Sequence, residues 1–315
     1  MKVIDFNTIK KLSISPVQCV KWVEEACRAK YEAKLPPKIS IKLDGQVFFN
    51  TMPVYLPGKE RFGVKVVSRY PGRTPSLQAD ILLFDTQSGQ TLALMDGSWI
   101  TAMRTGAVAA LAIRTLQTPA AREYAFLGLG NTARATLLCL LAIAADTPLH
   151  IRLLAYKGQE NAFRERFAAC PQLTFSVYHS AGELIRGADV VVSCVTAASE
   201  VFAPDEVFKE GVLVVPVHTR GFQNCDLFFD KVYADDTNHV KDFRYFDRFR
   251  RFDEFHNILL GANKGRESKL ERILAYNIGI ALHDIYFAAE IFALAEQLAD
   301  PAEIQTTTTT DKFWV

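Results

Sequence analysis

Residues 123–137 read EYAFLGLGNTARATL. An apolar, β-type run ends at Leu127, the pattern Gly128-x-Gly130-x-x-Ala133 follows at once, and a helix-forming stretch comes next. This order restricts the fold more than any other feature of the chain. Gly128 permits a tight turn out of a strand. Gly130 lets backbone approach a pyrophosphate, and Ala133 is small enough for helix and strand to pack closely. The free N–H groups and positive end of the helix then face the phosphates. The competing explanation is an ordinary Gly-rich turn. Its position between a strand and a helix, inside a series of alternating strands and helices, favours a dinucleotide site.

That series runs from residue 123. Strands are expected at 123–127, 149–155, 174–178, 189–195, 212–217 and 230–234, with helices at 131–145, 158–169, 181–187 and 204–209. Buried β-runs separated by helical segments imply a parallel, doubly wound sheet. The first third reads differently. A helix over 16–33 starts at Ser15-Pro16, and strands at 38–43, 46–51, 62–68, 80–85 and 91–95 are joined by turn residues such as Asp44-Gly45, Pro57-Gly58 and Ser88-Gly89. This is an α+β region on an antiparallel sheet, closed by an Ala-rich helix over 98–116. Residues 268–298 read as a last long helical region. The fold class is therefore α/β: a Rossmann-type domain at 119–269, and an α+β domain at 1–118 completed by about 270–315.

With 315 residues, two domains are the expected number. The 36 basic and 35 acidic residues nearly cancel, so charge gives no case for nucleic acid or an anionic membrane as partner. The apolar stretch 137–145 is too short to span a bilayer, which needs about 20 residues. The N-terminus lacks the apolar run of a signal peptide. The six cysteines form no CxxC pair, and no metal-ligand spacing is present. Buried reduced thiols in a cytoplasmic protein are the expectation. Residues 242–256, DFRYFDRFRRFDEFH, place Phe at every third position and predict an amphipathic helix over a domain edge; the alternatives are a mobile lid or a nucleic-acid patch. The acids among its arginines argue against the last. The segment 305–315 is either a frayed tail or an added strand.

Cofactor preference is read at the end of the second strand. NAD enzymes commonly place an acid there for the ribose hydroxyls. The segment 153–161, LLAYKGQEN, has none at the strand end and has Lys157 nearby, which leans the choice to NADP; a solvated loop lysine is the other reading of Lys157. Thr196, after the strand 189–195, is a candidate cofactor contact. Lys65 stands among apolar neighbours in GVKVVSR, and a lysine in a strand pattern is costly unless its ammonium meets a partner. Arg104 begins an otherwise small and apolar helix, where it can grip a carboxylate in bidentate fashion. Each is also explained by a snorkelling or ion-paired cation.

The stretch KVVSRYPGRTPSLQADILLFDTQSGQTLALMDGSWITAMRTGAVAA, followed by FLGLGNTARATL and later by GANKGR and AYNIGIALHD, resembles the ornithine cyclodeaminase/mu-crystallin family over roughly residues 35–295. The resemblance implies a substrate and dimerisation domain completed by C-terminal helices, a Rossmann domain, and a homodimer. Its members include ornithine cyclodeaminase, archaeal-type alanine dehydrogenase, ketimine reductase and opine-like dehydrogenases. It implies that Lys65 and Arg104 hold the substrate carboxylate and tune the reacting carbon, and that Ser76 and Thr105 approach the cofactor. Gly128, Gly130, Asn131 and Thr132 match the phosphate loop, and Asn277 lies at the nicotinamide-side helix start. Two departures stand out. Lys38 occupies the place of an arginine after Pro36-Pro37; it can hold a carboxylate, though not in bidentate fashion. In PVHTRGFQNCDL, residues 216–227, no Asp stands where true ornithine cyclodeaminase has its catalytic one; His218, Thr219 and Arg220 are there instead. His218 is a candidate proton donor or acceptor, or simply a satisfied loop histidine.

The expected function is NAD(P)-dependent hydride transfer at the α-carbon of a small amino acid or its imine or keto acid. The alternatives are a true ornithine cyclodeaminase making proline and ammonia, and a non-catalytic dinucleotide-binding protein.

Overall fold

The structure is a computed structural model. It describes all residues except 145–146, 196–197, 199, 218–225, 299–301, 306–309 and 314–315. The chain runs β1 (Lys2–Ile4), α1 (Phe6–Lys11), α2 (Pro16–Arg28), β2 (Ile39–Lys42), β3 (Phe48–Leu56), β4 (Arg61–Arg69), β5 (Leu77–Asp85), β6 (Thr91–Asp96) and α3 (Gly97–Leu116). It continues through β7 (Glu123–Leu127), α4 (Asn131–Ile143), β8 (Leu149–Leu154), α5 (Gln159–Arg166), β9 (Leu173–Tyr178), α6 (Ala181–Ile185), β10 (Val190–Ser193), β11 (Leu213–Pro216), β12 (Lys231–Ala234), β13 (Phe252–Glu254), α7 (His256–Leu259), β14 (Ile273–Tyr276) and α8 (Ala281–Ala295). It divides into two compact units, one of residues 1–14, 31–101 and 284–315, the other of 15–30 and 102–283.

The first unit holds a six-stranded sheet in the order β1-β6-β5-β4-β3-β2. The pairings from β2 to β6 are antiparallel, as the turn residues predict. β1, which the sequence does not announce, adds in parallel to β6 and makes the sheet mixed. Ala302 O accepts from Val3 N–H of β1 and Ile304 N–H donates to Met1 O just before it, while 310–313 are exposed and outside any strand. One face of the sheet is buried. Gly63 of β4 lets α8 close on it, since a Cβ there would lie 2.7 Å from Cδ1 of Ile285.

The second unit is the doubly wound domain, with strand order β13-β12-β14-β11-β10-β7-β8-β9 and every pairing parallel. β7 lies between β8 and β10, so the winding reverses there, where open parallel sheets bind ligands at their C-terminal ends. Gly106 of α3 faces the Ala135 backbone of α4 so closely that no Cβ fits between them. α2 begins as its sequence predicts, with the Ser15 hydroxyl accepting from Gln18 N–H at 3.1 Å and Pro16 in the first turn.

Two expectations are corrected. Residues 268–298 are not one helix: β14 sits between β11 and β12, and α8 follows after Gly279. A strand buried on both faces reads as a plain apolar run, which periodicity does not separate from a helix. The segment 242–256 is not an amphipathic helix either. It holds a 3-10 turn at Phe246–Arg248, then β13 and the start of α7. Phe243, Phe246, Phe249 and Phe252 all pack on the core of this unit. An α-helix turns about 300° per three residues, so a three-residue repeat drifts round it. A 3-10 turn repeats every three residues, so at Phe246–Arg248 it keeps Phe246 and Phe249 on one side.

Candidate active site

The phosphate end of the site follows from local backbone geometry. Gly128 leaves β7 at φ +81°, and a Cβ there would lie 2.8 Å from the carbonyl of Cys194, whose N–H donates to Leu127 O at 2.7 Å. Two strand ends thus cross where only glycine fits. Gly130 is the N-cap of α4 and supplies no side chain to cap it. Among the described residues nothing lies within 4 Å of where its Cβ would be, which leaves room before the helix. Asn131 is exposed and Thr132 half-buried in the first turn, and Ala133 is fully buried beneath them. An open cradle facing the N-terminus of a 13-residue helix suits a pyrophosphate.

At the end of β8, Lys157 adopts φ +51°, is exposed, and places Nζ 5.1 Å from the Tyr156 ring centroid. The fold adds something that linear order hides. Glu160, on α5, turns back so that its Oε2 accepts from Tyr156 N–H at 3.1 Å. Backbone N–H groups, its own and that of Tyr156, hold its carboxyl below the usual range. A carboxylate and a cation therefore both stand at this strand end.

Asn277 closes β14. Its N–H donates to Pro216 O at 2.8 Å. Its side chain is 2 % exposed, yet Nδ2 meets no acceptor among the described residues. A buried amide donor left open implies a ligand that satisfies it. The cradle and this donor both fit a dinucleotide, which Gly128, Gly130, Asn131, Thr132 and Asn277 would hold. Thr105 is buried on α3 in the same unit. Ser76 lies in the first unit, half-buried, its carbonyl accepting from Tyr70 N–H at 2.8 Å. Thr196 and His218 lie outside the described residues.

The two cations are both buried. Lys65 is 1 % exposed and its Nζ lies 2.5 Å from Oδ2 of Asp284, itself fully buried on α8. Asp284 answers the cost of a lysine in a buried strand position and is absent from the sequence-based set of site residues. The signal for it is an acid in the apolar run IALHDIYFAA, the counterpart of a lysine among valines. Arg104 is 5 % exposed, with its guanidinium against Gly279. Lys38 is half-buried just before β2. In the second unit Lys30 forms a separate buried cluster, donating to Asp235 O and Glu254 Oε2 and pairing with Asp236. Beside it, burial and then the Lys30 charge bring the His256 imidazole down to about 4.

A parallel sheet with a glycine cradle at its reversal point, in a chain whose first unit bears a buried lysine–carboxylate pair, defines an NAD(P)-binding α/β enzyme. The model of the ornithine cyclodeaminase/mu-crystallin family matches residues 3–298, and the chain belongs to that family. It is 29% identical over 282 residues to the nodulation efficiency protein NfeD of Rhizobium meliloti, covering 84% of this chain and 85% of that one. It is 27% identical over 269 residues to a Δ1-pyrroline-2-carboxylate reductase of Bacillus cereus, covering 78% and 80%. Its fold is similar to that of Thermococcus litoralis Δ1-pyrroline-2-carboxylate reductase in complex with NADH and L-proline, with TM-score 0.86, 25% identity, and coverage of 96% and 100%.

Proposed function

We propose that the protein reduces a small cyclic α-imino acid of the pyrroline-2-carboxylate type to the corresponding amino acid. The observation that carries this reading lies within the second unit. A dinucleotide cradle shares it with a buried amide donor awaiting an acceptor, Asn277, and a buried guanidinium, Arg104. The two reductases to which the chain is similar support the substrate class. Bound NAD(P)H supplies the hydride. Arg104 takes the substrate carboxylate in bidentate fashion, a geometry lysine does not provide. Lys65 is the second cation for the carboxylate and the proton-bearing group of the site, and Lys38 a peripheral one. Asp284 fixes the Lys65 amine in place, and Arg104 supplies a positive charge that attracts an anionic substrate. His218 is assigned the role of proton donor or acceptor, and Thr196, Ser76 and Thr105 cofactor contacts.

The coenzyme reading is NADPH, supported by Lys157. The Glu160 carboxylate at the same strand end is the observation that favours NADH. The homodimer reading is supported by an apolar outer face on the first unit's sheet. No helix among the described residues is long and apolar enough to cross a membrane.

The test follows oxidation of NADPH and NADH with Δ1-pyrroline-2-carboxylate, its six-membered homologue and open-chain keto acids with ammonia. In parallel, ornithine with NAD is assayed for proline and ammonia. Turnover of the cyclic imines, faster with NADPH, is expected. Proline and ammonia from ornithine without net change in coenzyme would replace this reading with cyclodeamination. Coenzyme binding without turnover of any substrate would leave a binding protein.

A further inference from the structure

Arg104 is held in a way that neither its sequence context nor its proposed role requires. A Cβ on Gly279 would collide with its Nη1 and would lie 3.0 Å from Nη2 and 3.1 Å from Cζ. The head of the guanidinium thus lies directly on the Gly279 backbone. Gly279 also has φ +92°, which side-chain-bearing residues rarely adopt. Two independent constraints, space and backbone angle, therefore demand glycine at one position. The conformation is pinned in turn, because Gly279 N–H donates to the buried Oδ2 of Asp235 at 2.5 Å. Asp235 follows β12, whose last residue, Ala234, pairs with Tyr276 of β14. Its own carbonyl accepts from buried Lys30 at 2.9 Å. The chain Lys30–Asp235–Gly279–Arg104 lies wholly within the second unit.

We infer that Gly279 and Asp235 are positioning residues that form a seat for the Arg104 guanidinium and so set the plane in which it meets the substrate carboxylate. A guanidinium is flat, and its donors form a rigid fork. Bidentate binding needs the plane of that fork to coincide with the plane of the carboxylate. A flat backbone surface beneath one side of the group fixes that plane. A methyl group at position 279 tilts it. The assignment rests on the proposed role of Arg104 as the carboxylate ligand.

The test pairs a structure with a double-mutant cycle. A crystal structure of Gly279→Ala is expected to show the guanidinium displaced from its wild-type position. In kinetics, Gly279→Ala is expected to raise KM for the imino acid, or lower kcat/KM, by about 10–100-fold, the scale of a misplaced positioning group. KM for NADPH should change by less than about twofold, since the phosphate cradle is untouched. In an Arg104→Ala background the same glycine substitution should add less than about threefold, because no guanidinium remains to be misplaced. Asp235→Ala should follow Gly279→Ala. Asp235→Asn, whose amide oxygen still accepts from Gly279 N–H, should recover most of the loss. A guanidinium that stays in place in the Gly279→Ala crystal would overturn the inference whatever the activity. So would full multiplicative loss in the Arg104→Ala background, or a parallel rise in KM for NADPH. Loss of activity in Arg104→Ala with none in Gly279→Ala would sink the seat and keep the substrate reading. Absence of turnover by the wild type would sink the substrate reading and leave the crystal structure to decide the seat.

Discussion

Lys65 and Asp284 show what a single residue discloses before any fold is known. A lysine in GVKVVSR announces that its charge must be answered, but not by which residue, because the partner lies 219 positions away. Burying one ion of such a pair without the other costs about 3–5 kcal/mol, whereas replacing both by apolar groups of similar volume is often neutral or stabilising. Asp284→Leu alone is therefore expected to destabilise by roughly that amount, and the double variant Lys65→Met/Asp284→Leu to regain most of it without regaining activity. Urea unfolding of the wild type, Lys65→Met, Asp284→Leu and the double variant reads this directly; additive losses in the double variant would show that the pair is not a unit. Lys65→Ala and Arg104→Ala should each abolish turnover, and full activity in either would remove the role assigned to it. His256 gives a pH prediction. Its imidazole titrates near 4 in the folded chain against 6.5 when unfolded, so below pH 6.5 the unfolded state binds the extra proton. Stability is then complete above pH 6.5 and declines as pH falls toward 4, by about 2 kcal/mol between pH 7 and pH 5 from this group alone. The charged groups facing it are Lys30, Glu254, Asp253 and Asp236. Asp236 and Glu254 are held below their usual range, so their own contributions fade at lower pH still. The slope between pH 7 and 5 should flatten in His256→Gln; an unchanged slope would mean that the imidazole titrates normally.

At the scale of elements, the sequence is legible where one residue type answers one geometric need. The βα turn at Gly128 is such a case, and its two glycines answer different needs that mutation can separate. At Gly128 a methyl group would meet the Cys194 backbone at 2.8 Å, on a φ of +81°. At Gly130 it would meet none of the described residues, and the incoming phosphate would feel it. Gly128→Ala is expected to lose a few kcal/mol of stability together with coenzyme affinity. Gly130→Ala should melt within about 1–2 °C of wild type and still bind NADPH at least about tenfold more weakly, because backbone can no longer approach the pyrophosphate. Thermal unfolding and coenzyme fluorescence titration check both; normal coenzyme affinity in Gly130→Ala would move the phosphate elsewhere. Elements whose identity depends on their neighbours were not legible. Ile273–Tyr276 is a strand because β11 and β12 leave a gap for it, and nothing in ILAY says so. Of the five phenylalanines of 242–256, four pack half-buried on the core of the unit and Phe255 is buried, but the segment that carries them is a 3-10 turn and a short strand rather than an α-helix. Glu160 reaches the end of β8 only because α5 begins with a turn at Gly158, φ +74°, that brings it back.

For the whole molecule, the open question in the fold is the outer face of the six-stranded sheet. Along β4, Gly63, Lys65 and Val67 point to the buried side, so Phe62, Val64 and Val66 point away from it. Cross-strand partners extend this into rows: Tyr55, Phe62 and Phe84; Pro53, Val64, Leu82 and Leu94; Ile39, Thr51, Val66 and Asp80. The edge strand adds Ile39 and Ile41, at 63% and 59% exposure. A face so apolar on a chain with nearly balanced charge is an association surface or an aggregation hazard. The proposed homodimer would place a second copy of the chain on it, because a two-fold axis pairs such a face with itself and needs no other partner. That symmetry makes the test sensitive, since one substitution enters the interface twice. Val66→Glu sits at a solvent-facing position of the separate chain and, with Asp80 opposite it, should cost the fold no more than about 1 kcal/mol. In the dimer it would place two carboxylates in one apolar interface, where unpaired charge is costly. Light scattering should give twice the 35.2 kDa chain mass for the wild type and the single mass for Val66→Glu. A wild type of single mass, or a Val66→Glu protein that remains dimeric, would show that the face pairs with something else or that the dimer forms elsewhere. If the monomer forms and still reduces the imine, the site is complete within one chain and the dimer serves stability. If activity falls with the mass, the catalytic arrangement depends on the second copy.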